Sequence, residues 1–166
     1  MLSSCAKQSD HIPVTGQVVS CAQLNFSGLG GDLIFPCMDG KSSVNFGTLR
    51  GPLIVNVWGS WCAPCKDEIP FLRSFNSKVQ SRLQLLGIDV EEANPKDGAD
   101  FVVSQGMTWP SLVDPDGRSR SLFGMGVPVT WFIDSAGKVT FKKIGVLKSE
   151  RELSDLTQKY LHLNIG

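Results

Sequence analysis

Histidine, basic runs and long apolar stretches are all scarce in this chain, and each scarcity closes a route to function. No apolar segment reaches the roughly 18 residues that a membrane-spanning helix requires. Lys and Arg number 16, Asp and Glu also 16, so the formal charge is zero. With no basic run either, nucleic acid is not an expected partner. The 2 histidines, His11 and His162, lie near opposite ends of the chain. Of the 5 cysteines, Cys5, Cys21 and Cys37 have no neighbour at metal-ligand spacing. A zinc site normally needs four ligands, so no metal is expected, and no other cofactor is implied. Internal repeats and low-complexity tracts are absent. The 166 residues, 42% of them hydrophobic and 19% charged, suit one well-buried domain rather than two.

What is present is concentrated in Trp61-Cys62-Ala63-Pro64-Cys65, which follows the apolar run Leu53 to Trp58 and leads into a helical pattern. A strand that delivers two cysteines, two residues apart, to the first turn of a helix can make and break disulfides. Unpaired N–H groups and the positive end of the helix dipole favour a thiolate there, so Cys62 is expected to be the exposed nucleophile. Cys65, one turn inside, is placed to resolve a mixed disulfide. Pro64 suits a first helical turn, where a missing N–H costs nothing.

The segment Asn56 to Pro70 resembles the active-site region of thioredoxin-like proteins, and within them the extracytoplasmic TlpA/ResA-type branch. There a Trp-Cys-x-Pro-Cys run is followed by a basic residue, a Glu and a Pro, here Lys66, Glu68 and Pro70. The resemblance extends from about Asp32 to the C-terminus. It implies an α/β, thioredoxin-like fold with a central mixed sheet flanked by helices and an N-terminal β-hairpin extension. It also implies a cis Pro128 lying against the cysteine pair, with the backbone of Val127 free to pair with an extended substrate. Trp61, Ala63, Pro64, Val127 and Pro128 would then form an apolar rim for that substrate. Trp109 and Met125 are further contacts or, as large apolar residues more often are, core.

Two positions bear on proton transfer. Thioredoxin has a buried Asp six residues before its first cysteine; this chain has Asn56, which cannot accept a proton. Glu68 matches a Glu of the ResA-type motif and lies one helical turn from Cys65. The resemblance makes it a candidate to tune the thiols and deprotonate Cys65, against the alternative of a solvated helix carboxylate. Lys66 and Asp67 read as surface residues. The activity implied is thiol:disulfide exchange outside the cytoplasmic membrane. Its expected direction is reduction of disulfides in a partner protein such as apocytochrome c, recharged by a membrane thiol electron donor. A disulfide oxidase or isomerase is the alternative. A peroxidase of the related peroxiredoxin type would want Thr three residues before the reactive cysteine, where Gly59 stands, and metal handling or a noncatalytic binding module is less favoured. A monomer is expected.

The remaining cysteines fit an oxidising compartment, where an unusual density of cysteine means crosslinks. Cys21 and Cys37 either bridge or remain two buried thiols. The bridge, favoured here, would close a loop of about 15 residues and stabilise by roughly 3 kcal/mol in the chain-entropy model. Leu2-Ser3-Ser4-Cys5 resembles a lipoprotein signal's end, which would make Cys5 a lipidation site, or it is a chance match; both stand. Residues 1–24 read as a polar tether and 25–166 as the domain.

Hairpin strands are expected at 33–35 and 44–46 around Asp39-Gly40, a central strand at 53–58, and a helix at 63–79, kinked at Pro70, that buries Phe71, Phe75 and Val79. Further on come a parallel strand at 83–90, a helix at 98–105, a short strand at 111–113 and a helical turn at 119–123. A hairpin over 129–133 and 138–144 follows, and then a last helix capped by Ser149 with Glu152.

Overall fold

The computed structural model describes residues 15–28 and 30–165. Cys5 and the presumed lipidation run therefore lie outside the described residues. Leu53–Trp58 forms β3, buried along its whole length, and it occupies the middle of a five-stranded sheet. On one side it pairs in parallel with β4 (Gln84–Val90), which pairs in parallel with β5 (Ser111–Asp114). On the other it pairs antiparallel with β6 (Val129–Ile133), and β6 pairs antiparallel with β7 (Val139–Ile144). The order β5-β4-β3-β6-β7 is the mixed sheet that the resemblance implied. A separate two-stranded sheet, β1 (Ile34–Pro36) with β2 (Ser43–Asn45), supplies the N-terminal hairpin, its strands one residue from the expected positions.

The period-two alternation of β3 divides the core. Leu53, Val55 and Val57 enter a cluster with Phe35, Val44, Leu86 and Trp131 under the hairpin. Ile54 and Trp58 enter a second cluster with Ile69, Leu72 and Phe75 of the helix α1 (Ala63–Val79) and Leu153 of α4 (Glu150–Leu161). Asn56 belongs by parity to this second face, and it is 1% exposed. That placement, in a sheet interior, obliges it to find polar partners.

Helix α1 runs through Pro70 without interruption. Its buried residues are Cys65, Glu68, Ile69, Leu72, Phe75 and Val79, a three-and-four spacing that fits 3.6 residues per turn. A strict four-residue step drifts off that stripe, which is why Phe71, expected inside, is only half-buried. Helix α2 spans Pro95–Ser104, three residues earlier than its charged first turn suggested. Asn94 caps it by accepting the Lys96 N–H at 3.0 Å, and Pro95 occupies the first turn. A one-turn helix α3 covers Arg120–Phe123. At α4, Ser149 Oγ accepts the Glu152 N–H at 3.0 Å as expected, while Glu152 returns its carboxylate to the Lys148 N–H at 2.7 Å, one residue before the cap.

Residues 16–24, read from sequence as the end of a tether, lie against the domain. Gly16 and Gln17 donate to the carbonyls of Val103 and Met107 at 2.8 and 2.9 Å. The Gln84 side chain donates to the Gln23 carbonyl at 2.5 Å and accepts the Asn25 N–H at 3.1 Å. Cys21, 1% exposed, is disulfide-bonded to Cys37 with Cα atoms 6.0 Å apart. Polar composition made this stretch read as a linker; two backbone bonds and a crosslink to distant residues hold it down.

Candidate active site

At the C-terminal end of β3 the chain turns through Gly59, Ser60 and Trp61 and delivers Cys62 to the start of α1. The Cys62 N–H donates to the Gly59 carbonyl at 3.0 Å, closing the turn. Cys62 and Cys65 form a disulfide with Cα atoms 5.3 Å apart. The Cys65 N–H points at Cys62 Sγ, 3.2 Å away, so a first-turn donor of the helix faces the outer sulfur. This is the geometry that stabilises a thiolate at position 62. Cys62 is 4% exposed and Cys65 fully buried. The order of accessibility is the expected one, but Cys62 is far less exposed than its place at a helix start suggested.

Of the expected rim residues, Trp61 and Val127 line one pocket. Trp61 is 55% exposed, and Ala63 and Pro64 are exposed beside it. The Val127–Pro128 peptide is cis, Pro128 is buried and Val127 half-buried, and Val127 packs against the cluster that contains both active-site cysteines. A shallow pocket is lined by Trp61, Val90, Phe123, Met125 and Val127. Met125 is 82% exposed at its edge, whereas Trp109 is 2% exposed and belongs to the core. Lys66 and Asp67 are exposed.

Glu68 is not a solvated helix carboxylate. It is completely buried, one turn beyond Cys65 on the same face of α1. Its Oε1 accepts from Asn56 Nδ2 at 2.6 Å and its Oε2 from the Leu147 N–H at 2.9 Å. Asn56 Nδ2 also reaches Thr130 Oγ1 at 3.2 Å. Burial pushes the Glu68 carboxyl up from its ordinary 4.5 to about 7, and the donors from Leu147 and Asn56 only partly offset it. A group of that acidity, held beneath the buried cysteine, can take or return a proton near neutral pH. The sequence pointed to Asn56 and Glu68 separately; that one holds the other requires β3 and α1 to be packed together. Thr130 and the Leu147 amide carried no sequence signal at all.

Among the described residues no cluster of His, Cys, Asp and Glu could hold a metal ion, and no helix is long and apolar enough to cross a membrane.

A mixed sheet carrying two cysteines at a helix start beside a cis-proline loop has the thioredoxin-like fold. Residues 32–142 match the AhpC/TSA family, and the chain belongs to it. Among curated relatives it is 27% identical over 117 residues to the thiol-disulfide oxidoreductase ResA of Bacillus thuringiensis, covering 69% of this chain and 66% of that protein. It is 32% identical over 129 residues to a thiol:disulfide interchange protein DsbE homolog of Paracoccus denitrificans, covering 75% of this chain and 66% of that one. The chain thus spans just under two thirds of the length of these relatives. Among solved structures, StoA of Bacillus subtilis superposes with a TM-score of 0.63 at 21% identity, over 79% of this chain and 99% of that one, which shows the common fold.

Proposed function

We propose that this chain is a protein thiol:disulfide oxidoreductase acting outside the cytoplasmic membrane, most readily as a reductant of partner-protein disulfides. The observation that carries the reading is the Cys62–Cys65 pair at the N-terminus of α1, with the Cys65 N–H on Cys62 Sγ and the Val127–Pro128 loop alongside. Cys62 thiolate attacks one sulfur of a partner disulfide, displacing the other as a thiolate and forming a mixed disulfide. Glu68 takes the proton of Cys65. Cys65 sulfur then attacks Cys62, the partner leaves with two reduced cysteines, and the Cys62–Cys65 disulfide remains. Two electrons have passed to the partner, and a membrane dithiol donor must return them. Trp61, Ala63, Pro64, Val127 and Pro128 form the surface on which an extended partner segment rests.

The names of the relatives, ResA and DsbE, fit a partner such as apocytochrome c. Extracytoplasmic placement is supported by the Cys21–Cys37 crosslink, which a reducing cytosol would not maintain. Attachment through a lipid on Cys5 rests on the Leu2-Ser3-Ser4-Cys5 run alone. A peroxidase of the peroxiredoxin type is disfavoured, because the position three before Cys62 is Gly59 rather than Thr.

The deciding experiment is the reduction potential of the Cys62–Cys65 pair in graded thiol/disulfide buffers. A value near that of thioredoxin, about −270 mV, is expected and makes the protein a reductant; one near that of DsbA, about −120 mV, makes it an oxidase instead. A protein with no reversible transition would not be an exchange catalyst.

A further inference from the structure

Asp89 is the only charged residue of β4, set in an otherwise apolar run, and it is 2% exposed. It sits in register with Trp58 at the end of β3 that leads to the cysteines. Helix α2 closes over it at Gly98, where an added Cβ would come within 1.8 Å of Asp89 Oδ2. Oδ1 has no hydrogen-bond partner. Glu92, in the loop that follows β4, is close enough to this carboxyl to raise its pKa.

Glu92 in turn uses both of its oxygens on one residue. Its Oε1 accepts the Ser60 N–H at 2.5 Å and its Oε2 accepts the Ser60 hydroxyl at 2.6 Å. Ser60 stands two residues before Cys62. The next residue, Trp61, is tied to the same end of β4, its Nε1 donating to the Val90 carbonyl at 3.1 Å. The chain entering the nucleophile is thus anchored to the end of β4 at two successive residues.

Two carboxyl groups can share a hydrogen bond only if one keeps its proton. Glu92 receives two donors from Ser60, whereas Asp89 is enclosed by Trp58 and α2, so the shared proton is assigned to Asp89. Burial first, then the bond to Glu92 and the charges of Glu92 and Asp97, push Asp89 up to about 9. The charged groups facing it are these two acids, whereas Lys66 of α1 lies over the Phe101 ring, 6.0 Å from its centroid. We propose that Asp89 and Glu92 form an acid–carboxylate clamp on Ser60 that positions the chain entering Cys62 for thiol exchange. This rests on the exchange reading above and adds positioning residues to those around Glu68.

The clamp can be read without turnover. In the oxidised protein neither cysteine of the pair titrates, so the Ser60 amide, followed by nitrogen-15 NMR from neutral to alkaline pH on a Glu68→Gln background that removes the ionisation near pH 7, reports the clamp. In the wild type its resonance should lie downfield and move with one inflection as Asp89 loses its proton. Asp89→Asn, which keeps a donor to Glu92, should leave the resonance in place at neutral pH and abolish the inflection. Glu92→Gln should move it upfield at every pH and speed its hydrogen exchange about tenfold, since a charge-assisted bond becomes a neutral one. In the reduced protein, the pH profile of reaction with a peptide disulfide separates two roles. Lost positioning lowers the plateau rate of Glu92→Gln about tenfold, whereas a mere charge effect shifts the midpoint and leaves the plateau. A Ser60 amide indifferent to pH and to Glu92→Gln, or an unchanged plateau, would overturn the clamp. A wild type that never reacts with the disulfide would overturn the exchange reading while the amide still decided the clamp.

Discussion

Among the described residues two disulfides lie on two sides of one sheet, and their surroundings are opposite. Around Cys21–Cys37 the sulfurs meet backbone carbonyls: Cys21 Sγ lies 3.9 Å from the Ser111 oxygen and Cys37 Sγ 4.0 Å from that of Val19. Carbonyl oxygens repel a thiolate, and both cysteines are buried, so nothing there helps the bond to open. Around Cys62–Cys65 the outer sulfur meets an N–H at a helix start, with a carboxyl of near-neutral acidity beneath the inner one. The same covalent bond is a staple in the first setting and, on the function proposed above, a reagent in the second. The lesson is that orientation of the backbone dipole at sulfur, rather than burial alone, separates the two, since Cys62 at 4% exposure is nearly as enclosed as Cys37 at 2%.

Substitutions at each disulfide test this contrast directly. Cys62→Ser should abolish exchange with any disulfide substrate, whereas the double change Cys21→Ser, Cys37→Ser should leave the reduction potential of the active pair where it was. Any large shift in potential from the double change would mean that the two sites are coupled. Its own effect should be on stability, a loss of about 3 kcal/mol for a loop of this length. At roughly 2–4 °C per kcal/mol for a domain of this size, calorimetry should record a melting temperature lower by about 6–12 °C.

Glu68→Gln tests the carboxyl under the reactive pair. Resolution of the mixed disulfide should slow by about 10² if Glu68 accepts the Cys65 proton, and the trapped species should accumulate on a non-reducing gel. The same variant carries a stability signature of fixed sign. Below pH 4.5 Glu68 is protonated in both folded and unfolded chains; between 4.5 and about 7 only the folded chain keeps the proton. Stability therefore falls as pH rises through that window, by an amount of order 3 kcal/mol, and is level beyond it. Asp89 contributes in the same direction over a wider range, so the measured quantity is the difference between wild type and Glu68→Gln in denaturant titrations at several pH values. A difference that does not vary across the window would mean that Glu68 is ionised throughout.

The smallest effect concerns the rim. Met125→Ala should weaken exchange with an apolar peptide disulfide by a few-fold, about 1 kcal/mol of contact area, with no change for a small disulfide such as oxidised glutathione. Equal losses for both would show that Met125 acts through the loop rather than by contact.

Much of this was legible before any fold was known. The Trp61–Cys65 run and the apolar Leu53–Trp58 strand depend on local spacing, which a sequence displays directly, and the Val127-Pro128 pair came from the resemblance to thioredoxin-like proteins. The start of α2 was missed because Asn94-Pro95 stood inside a charged stretch that resembled a loop, although an Asn followed by Pro is a sound helix start. The described part of the first 24 residues was misread for a related reason: its anchors, Val103, Met107, Cys37 and Gln84, are far away in the chain. Asp89 was visible as a lone acid within an apolar strand and could have been singled out on that ground, but nothing nearby in sequence pointed to Ser60.

By itself, then, the sequence determined which atoms can react and where they lie along the chain. Two cysteines one helical turn apart, a helix to hold them and a strand to deliver them are matters of residue type and period. Only the tertiary structure decided how those atoms behave. Whether Glu68 is wet or dry, whether Asn56 meets it, whether Glu92 closes on Ser60 and whether Cys21 finds Cys37 depend on contacts between elements distant in the chain. Acidity and redox character follow the local dielectric and the direction of neighbouring dipoles, and these exist only once β3, β4, α1 and the N-terminal segment have packed together.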